Sequence, residues 1–207
     1  MPRIILYGPA PTPFTRKVQG ALALKKLPYE LVEPQSPEDY RRWSPETGLL
    51  PVIEIDGDRT HDSARILDEL DRRFPQVPLV ARDPKTARSQ RRLEHWVEAA
   101  LSFYWMNYLR QLVEPDESAP PPRAGMREEF EQRLTDLANF LGGRPYFYAD
   151  EPSRADLSVW SFLSGVEEAL ATALGGPPGS PRALEEHSAR IASLVLRQDP
   201  RAQESSG

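Results

Sequence analysis

Arg3-Ile4-Ile5-Leu6-Tyr7-Gly8-Pro9-Ala10-Pro11-Thr12-Pro13-Phe14-Thr15-Arg16-Lys17-Val18 is the stretch whose reading decides the fold. Residues 3 to 7 form an apolar run that reads as a buried strand. The turn from Gly8 to Pro13 then opens a helix with Phe14, Val18, Ala21 and Leu22 at helical spacing. Pro28 stops that helix, and Tyr29 to Val32 is a second apolar run. Two strands joined through a helix predict a β-α-β unit with parallel strands and a right-handed crossover.

Downstream, a polar, proline-marked segment from Glu33 to Thr47 leads to Pro51-Val52-Ile53-Glu54-Ile55. Asp56-Gly57 is a hairpin signal, and a return strand follows around Arg59 to His61. Ser63 to Phe74 places Ile66, Leu67, Leu70 and Phe74 on one face, which predicts an amphipathic helix. The order is therefore βαβ then ββα.

The proline-rich stretch after Phe74 reads as a linker. The expected organisation is an α/β domain over residues 1–77, a linker over 78–84 and an all-helical domain over 85–207. In the second part Leu93, Val97, Ala100, Leu101, Tyr104, Tyr108 and Leu112 mark a long helix, and Met126 to Leu141 a second, closed by Gly142-Gly143. Ser153 and Asp156 form a capping box ahead of Leu157, Trp160, Leu163 and Val166. Ala183 to Arg197 is the last expected helix, with a polar tail over 198–207.

Composition narrows the function classes. A chain of 207 residues can bury a core without disulfide or metal staples. The net charge of −5, from 26 basic and 31 acidic residues, argues against a nucleic-acid-binding or anionic-membrane surface. No cysteine is present, which excludes thiolate metal sites, dithiol exchange and a cysteine nucleophile, so any thiol chemistry must borrow its sulfur. The apolar start is too brief for a secretory signal and no stretch has the length of a membrane span, so a cytoplasmic protein is expected.

Three short motifs can carry chemistry. Thr12 before Pro13 sits at an N-cap, where free N–H groups and the positive end of the helix dipole would hold a thiolate and lower its pKa. Its hydroxyl has one proton to give that sulfur. Leu50-Pro51, at the mouth of a strand, is a place where a cis peptide would turn the Leu50 main chain toward a peptide-like ligand. Asp62 and Ser63 head a helix, and together suit an α-amino-acid head group, the carboxylate for its ammonium and the helix start for its carboxyl. Taken singly each has a plainer reading: Thr12 only caps a helix, Pro51 is an ordinary trans proline, and Asp62 or Ser63 is an N-cap.

In this order and at these intervals, with the capping box of Ser153 and Asp156 in the helical part, the motifs resemble the cytosolic glutathione S-transferase family. The likeness is to its bacterial-type members that use a hydroxyl or thiol after the first strand, and it covers residues 3 to 200. It implies a thioredoxin-like N-terminal domain, an all-helical C-terminal domain and a homodimer. The activity implied is conjugation of glutathione to a small hydrophobic electrophile, with a glutathione-dependent isomerase or reductase, or a non-catalytic ligand-binding or protein-interaction module on the same fold, as the alternatives. Glutathione would be a co-substrate, with no metal or other cofactor.

The resemblance makes Thr12, followed by Pro13 and Phe14, the contact to the glutathione sulfur, with Tyr7 the second-ranked hydroxyl. Leu49, Leu50 and Pro51 become the edge that pairs with the cysteinyl unit, and Asp62 with Ser63 the γ-glutamyl site. Family members normally carry Glu or Gln where Asp62 stands, and serine, cysteine or tyrosine rather than threonine at the sulfur contact. Asp62, one methylene shorter, would reach the ammonium through water or a shifted helix, and the Thr12 methyl would crowd the sulfur. Leu49 stands where many members have a lysine, which leaves the glycyl carboxylate to Arg41, Arg42, Arg16 or Lys17. Tyr104, Trp105 and Tyr108 would help wall the electrophile site, though bundle core is the plainer reading for such a cluster. His95 and His187 lack metal-ligand spacing and read as structural.

Overall fold

The structure is a computed structural model that describes residues 2–10, 12–104, 107–108, 123–174 and 180–198. Its residues group into two compact units, one running to Leu79 and taking in the chain from Ala192, the other spanning Val80–Ile191. The boundary falls inside the expected 78–84 linker. The grouping of the chain from Ala192 with the first unit differs from the expected 85–207 domain.

The first unit holds one four-stranded sheet in the order β2-β1-β3-β4, made from β1 (Ile4–Tyr7), β2 (Glu30–Val32), β3 (Val52–Ile55) and β4 (Asp58–His61). β1 runs parallel to β2 and antiparallel to β3, with Leu6 opposite both Leu31 and Ile53. The β3–β4 turn is Asp56-Gly57, both at positive φ (53° and 95°), as a two-residue hairpin of this hand requires. α1 (Pro13–Leu24) and α3 (Ser63–Arg73) bury Val18, Ala21 and Leu22, and Ile66, Leu67 and Leu70. This is the thioredoxin-like arrangement that the βαβ-ββα order predicts.

The polar segment between β2 and β3 contains a short helix, α2 (Pro37–Trp43). Pro37 starts it, and the Asp39 carboxylate accepts from the Ser36 N–H at 3.1 Å and the Gln35 N–H at 2.9 Å. The end of α1 is tied down by Lys25, whose buried ammonium uses all three donors. They reach the Asp71 carboxylate at 2.7 Å, the Phe74 carbonyl at 2.9 Å and the Val77 carbonyl at 2.6 Å. Asp71 also accepts from the Leu79 N–H at 2.9 Å, so the first residues of the expected linker are fastened to this unit.

The second unit is helical: α4 (Pro84–Tyr104), α5 (Met126–Leu141), α6 (Arg154–Leu174) and the first part of α7 (Arg182–Gln198). Leu93, Val97 and Leu101 meet Phe130, Leu134 and Leu137 in one core, which Val159, Phe162 and Leu184 complete. Two buried polar groups cross this core. Glu94 and Arg154 form an ion pair, with the Arg154 Nη2 to Glu94 Oε1 contact at 3.2 Å. Asp156 is the head of the capping box and takes four donors: the Ser153 N–H (2.8 Å), the Ser153 hydroxyl (2.7 Å), the Phe147 N–H (2.9 Å) and His187 Nε2 (2.9 Å). Asp156 and His187 are both fully buried, which gives His187 the structural role read from its sequence context. None of the described helices is long and apolar enough to cross a membrane.

Candidate functional site

Thr12 is the N-cap of α1, with extended backbone (φ −76°, ψ 141°) and Pro13 beginning the helix. Its side-chain oxygen accepts from the Thr15 N–H at 3.4 Å, a long capping bond. Its single proton has two acceptors within the protein, the Thr15 hydroxyl at 2.9 Å and the Pro9 carbonyl at 3.1 Å. Thr15 is fully buried, whereas Thr12 is half-buried and Phe14 is exposed. Gly8 is what lets this hydroxyl pair sit against β1, because a Cβ there would lie 2.6 Å from Thr15 Oγ1 and 3.3 Å from Pro51 Cβ. The same Glu33 carboxylate that follows β2 accepts from the Ala10 N–H at 3.0 Å and fixes the turn before α1.

The Leu50–Pro51 peptide bond is cis. Pro51 is buried and Leu50 half-buried, and the Leu50 N–H and C=O take no partner among the described residues. Leu49 projects outward at 71% exposure. The segment is held from behind by a chain of polar contacts. The Leu49 N–H donates to Thr47 Oγ1 (3.2 Å), Thr47 Oγ1 meets Ser44 Oγ (2.8 Å), and Ser44 Oγ meets His61 Nδ1 (3.3 Å). His61 ends β4 immediately before Asp62, so this chain joins the second motif to the third.

Asp62 is the N-cap of α3 at φ 72°, ψ 126°, a region that disfavours any side chain other than glycine's. Its carboxylate accepts from the Arg65 N–H at 3.0 Å, while the side chain remains exposed. Ser63, the first residue of α3, is buried.

Tyr7 goes elsewhere. Its hydroxyl donates to Glu54 at 3.4 Å, its ring lies 4.9 Å from the ring of Trp43, and the Arg59 guanidinium sits 5.3 Å from its centroid. Arg59 in turn binds Glu54 at 2.8 Å, and that carboxylate raises the Arg59 pKa. Tyr7 is thus engaged with Glu54, Arg59 and Trp43, while the Thr12 hydroxyl is bonded to Pro9 and Thr15.

Among the cations considered for a carboxylate, Lys17 is buried and Arg42 is exposed on α2. Arg41 lines a cleft of about 580 Å³ with Tyr40, Thr47, Gly48 and the Pro34–Pro37 turn. In the helical unit Tyr104 is packed in the core against Phe130, with ring centroids 5.6 Å apart. Tyr108 is half-buried, and burial raises its phenol pKa. Trp105 lies outside the described residues. Among the described residues no group of three or more potential metal ligands is found.

Comparisons with known proteins find relatives of the first unit in sequence and of the chain in fold. The family model described as glutathione S-transferase, N-terminal domain, matches residues 6–78. A glutathione S-transferase of Triticum aestivum is 38% identical over 85 residues, 40% of this chain and 39% of that protein. A glutathione S-transferase of Methylobacterium radiotolerans, solved in complex with glutathione sulfonate, is 27% identical. It superposes with a TM-score of 0.66 over 98% of this chain and 94% of that one. The N-terminal part of the chain, residues 6–78, is thus similar to the N-terminal domain of glutathione S-transferases. Glutathione transferase Omega 3C of Trametes versicolor, 21% identical, shares the fold with a TM-score of 0.75 over 95% of this chain and 88% of its own. The chain spans about two fifths of the length of the curated relatives it matches.

The sequence reading named the three motif positions but missed three supporting groups: Thr15 as the partner of Thr12, and Ser44 and Thr47 behind Leu49. Thr15 is three residues after an N-cap, a spacing that brings its N–H to the cap oxygen, so that signal was in the sequence. Ser44 and Thr47 meet His61 only through the folding of the sheet, and no local pattern announces them.

Proposed function

We propose that this protein binds glutathione along the Leu50 main chain, activates its thiol at the start of α1 and transfers the thiolate to a small hydrophobic electrophile. The observation that carries this reading is the Thr12 hydroxyl at the N-cap of α1, in the same unit as the Leu50 N–H and C=O, which take no partner among the described residues. The α1 dipole and its first N–H groups favour the anionic sulfur, and the Thr12 proton adds a charge-assisted bond. Asp62 and Ser63 take the γ-glutamyl head, and Arg41, beside Gly48 in its cleft, offers the cation for the glycyl carboxylate. Acceleration comes from thiolate fraction and from holding the two reactants together. The reading is supported by the match of residues 6–78 to the glutathione S-transferase N-terminal domain and by the solved relative that holds glutathione sulfonate. It carries with it a homodimeric, cytoplasmic protein, and the oligomeric state is read directly by light scattering.

Titration with glutathione, followed by thiolate absorbance against pH, tests the proposal. The bound thiol titrates below the free value of about 8.5, and Thr12→Ala returns it toward that value. A second reading, a glutathione-binding module without catalysis, is favoured by one feature: the Thr12 proton and the Asp62 carboxylate are already engaged within the protein. Binding with an unshifted thiol pKa assigns that reading, and no binding removes both.

A further inference from the structure

We propose that Thr15 is a positioning residue that polarises Thr12, the two hydroxyls forming a relay that reverses when an anionic sulfur binds. This deepens the thiolate-activation reading above and rests on it. The observation is a bond count at Thr12 Oγ1. A hydroxyl has one proton and two lone pairs. In the structure the Thr12 proton is directed to Thr15 Oγ1 at 2.9 Å, with Pro9 O as a competing acceptor at 3.1 Å. The Thr15 N–H, at 3.4 Å, occupies one lone pair. For Thr12 to serve a sulfur, its proton must leave both protein acceptors.

The two acceptors differ in what they do next. The Pro9 carbonyl can only accept, and it keeps the Thr12 N–H at 3.3 Å when the hydroxyl turns away. Thr15 can accept or donate. Its hydroxyl is fully buried, and Thr12 Oγ1 is its hydrogen-bond partner among the described residues. While Thr12 donates to it, the buried Thr15 O–H has no acceptor among the described residues, and it gains one by turning to Thr12 Oγ1 once Thr12 points at the sulfur. Turning it places its proton on the second lone pair of Thr12 Oγ1, and both O–H dipoles then point toward the anion. Hydrogen bonds in such a chain strengthen one another, most of all when they end on a charge. Both threonines keep their own protons and only rotate; the thiol proton leaves to bulk water. The close approach at Gly8, which brings Thr15 Oγ1 within 2.6 Å of where a Cβ would stand, leaves Thr15 little room to relocate. The carboxylate bonded to this turn, Glu33, and the neighbouring Arg16 are the same in every variant below, so their field is a constant background.

The test uses the whole 207-residue chain. Thiolate absorbance of bound glutathione is measured against pH in wild type, Thr15→Val, Thr15→Ala and Thr15→Ser, and binding of S-methylglutathione, which has no titratable sulfur, is measured in each. The relay predicts that Thr15→Val raises the bound-thiol pKa by roughly one pH unit, the worth of one hydrogen bond to a hydroxyl that serves an anion. Thr15→Ser keeps the wild-type value, and S-methylglutathione binds all four proteins within about twofold. Thr15→Ala must shift the pKa in the same direction, and it carries the comparison if Thr15→Val does not fold. A lowered wild-type thiol pKa that neither Thr15→Val nor Thr15→Ala changes overturns the relay while leaving the thiolate-activation reading intact. Loss of S-methylglutathione binding in step with the pKa change overturns it in favour of a merely structural threonine. If wild type fails to bind glutathione, the reading and the relay fall together.

Discussion

A single methyl group at Gly8 would reach two parts of the candidate site at once. The contacts it would make, 2.6 Å to Thr15 Oγ1 and 3.3 Å to Pro51 Cβ, leave no ordinary van der Waals room. Gly8→Ala is therefore expected to lower stability by about 1–3 kcal/mol, the usual cost of overpacking, and to weaken glutathione binding more than a distant substitution of equal cost. Chemical denaturation paired with a glutathione titration separates the two effects. Tyr7→Phe tests the opposite expectation. Because the Tyr7 hydroxyl serves Glu54 at 3.4 Å, its removal should leave the bound-thiol pKa within a few tenths of wild type, whereas a large rise would make Tyr7 the donor. The sequence located Thr12, Leu50, Pro51, Asp62 and Ser63, because caps, X-Pro bonds and helix starts are local patterns. Where the Thr12 proton points was not legible, since it depends on how closely Thr15 packs against Gly8.

At the level of elements, helix starts do most of the positioning, and their caps were the most readable part of the chain. α6 is the extreme case. Asp156 collects the Ser153 N–H and hydroxyl, the Phe147 N–H and His187, so one carboxylate caps the helix and fixes two other segments. Asp156→Ala strands several buried donors and should cost about 3–5 kcal/mol, read as a shift in the denaturation midpoint at unchanged slope. The Ser153–Asp156 pair was visible in the sequence; its link to His187, 31 residues on, was not. The end of α3 gives a pH dependence. Hydrogen bonds from Arg72 (2.6 Å) and Arg73 (2.5 Å) hold the Glu69 carboxyl at about 2, down from an ordinary 4.5. A depressed carboxyl adds stability above its unfolded pKa and loses it as pH falls from 4.5 toward about 2. Glu69→Gln should flatten that part of the melting-temperature profile, by less than about 1 kcal/mol because the cluster is near solvent and screened. α2 shows where periodicity stops helping: a seven-residue helix with Tyr40 and Trp43 as its large apolar residues carries too few turns for a pattern, although Ser36 and Asp39 mark its start.

Over the whole molecule, two kinds of core were foreseeable and the charges inside them were not. Alternation and helical spacing place Leu6, Ile53 and Leu70 in one unit, and Leu101, Leu134 and Val159 in the other. Nothing in those patterns puts Lys17, Lys25, Glu94 and Arg154 among the buried residues, because a charge enters a core only where a partner elsewhere in the chain meets it. The Glu94–Arg154 pair, which spans α4 and α6, makes that dependence measurable. Glu94→Gln leaves the Arg154 charge buried beside a neutral partner and should cost about 3–5 kcal/mol; Glu94→Leu combined with Arg154→Met should recover most of that loss in a double-mutant cycle. Asp62 sets a limit of another kind. Its φ of 72° favours glycine, yet the Arg65 N–H needs an oxygen there and the ammonium of the proposed ligand needs an acceptor. Glycine would relax the chain but remove the oxygen that serves both. A saturation library selected for folding should therefore accept glycine at position 62, and the same library selected for glutathione capture should reject it, so one codon would report stability and recognition pulling apart.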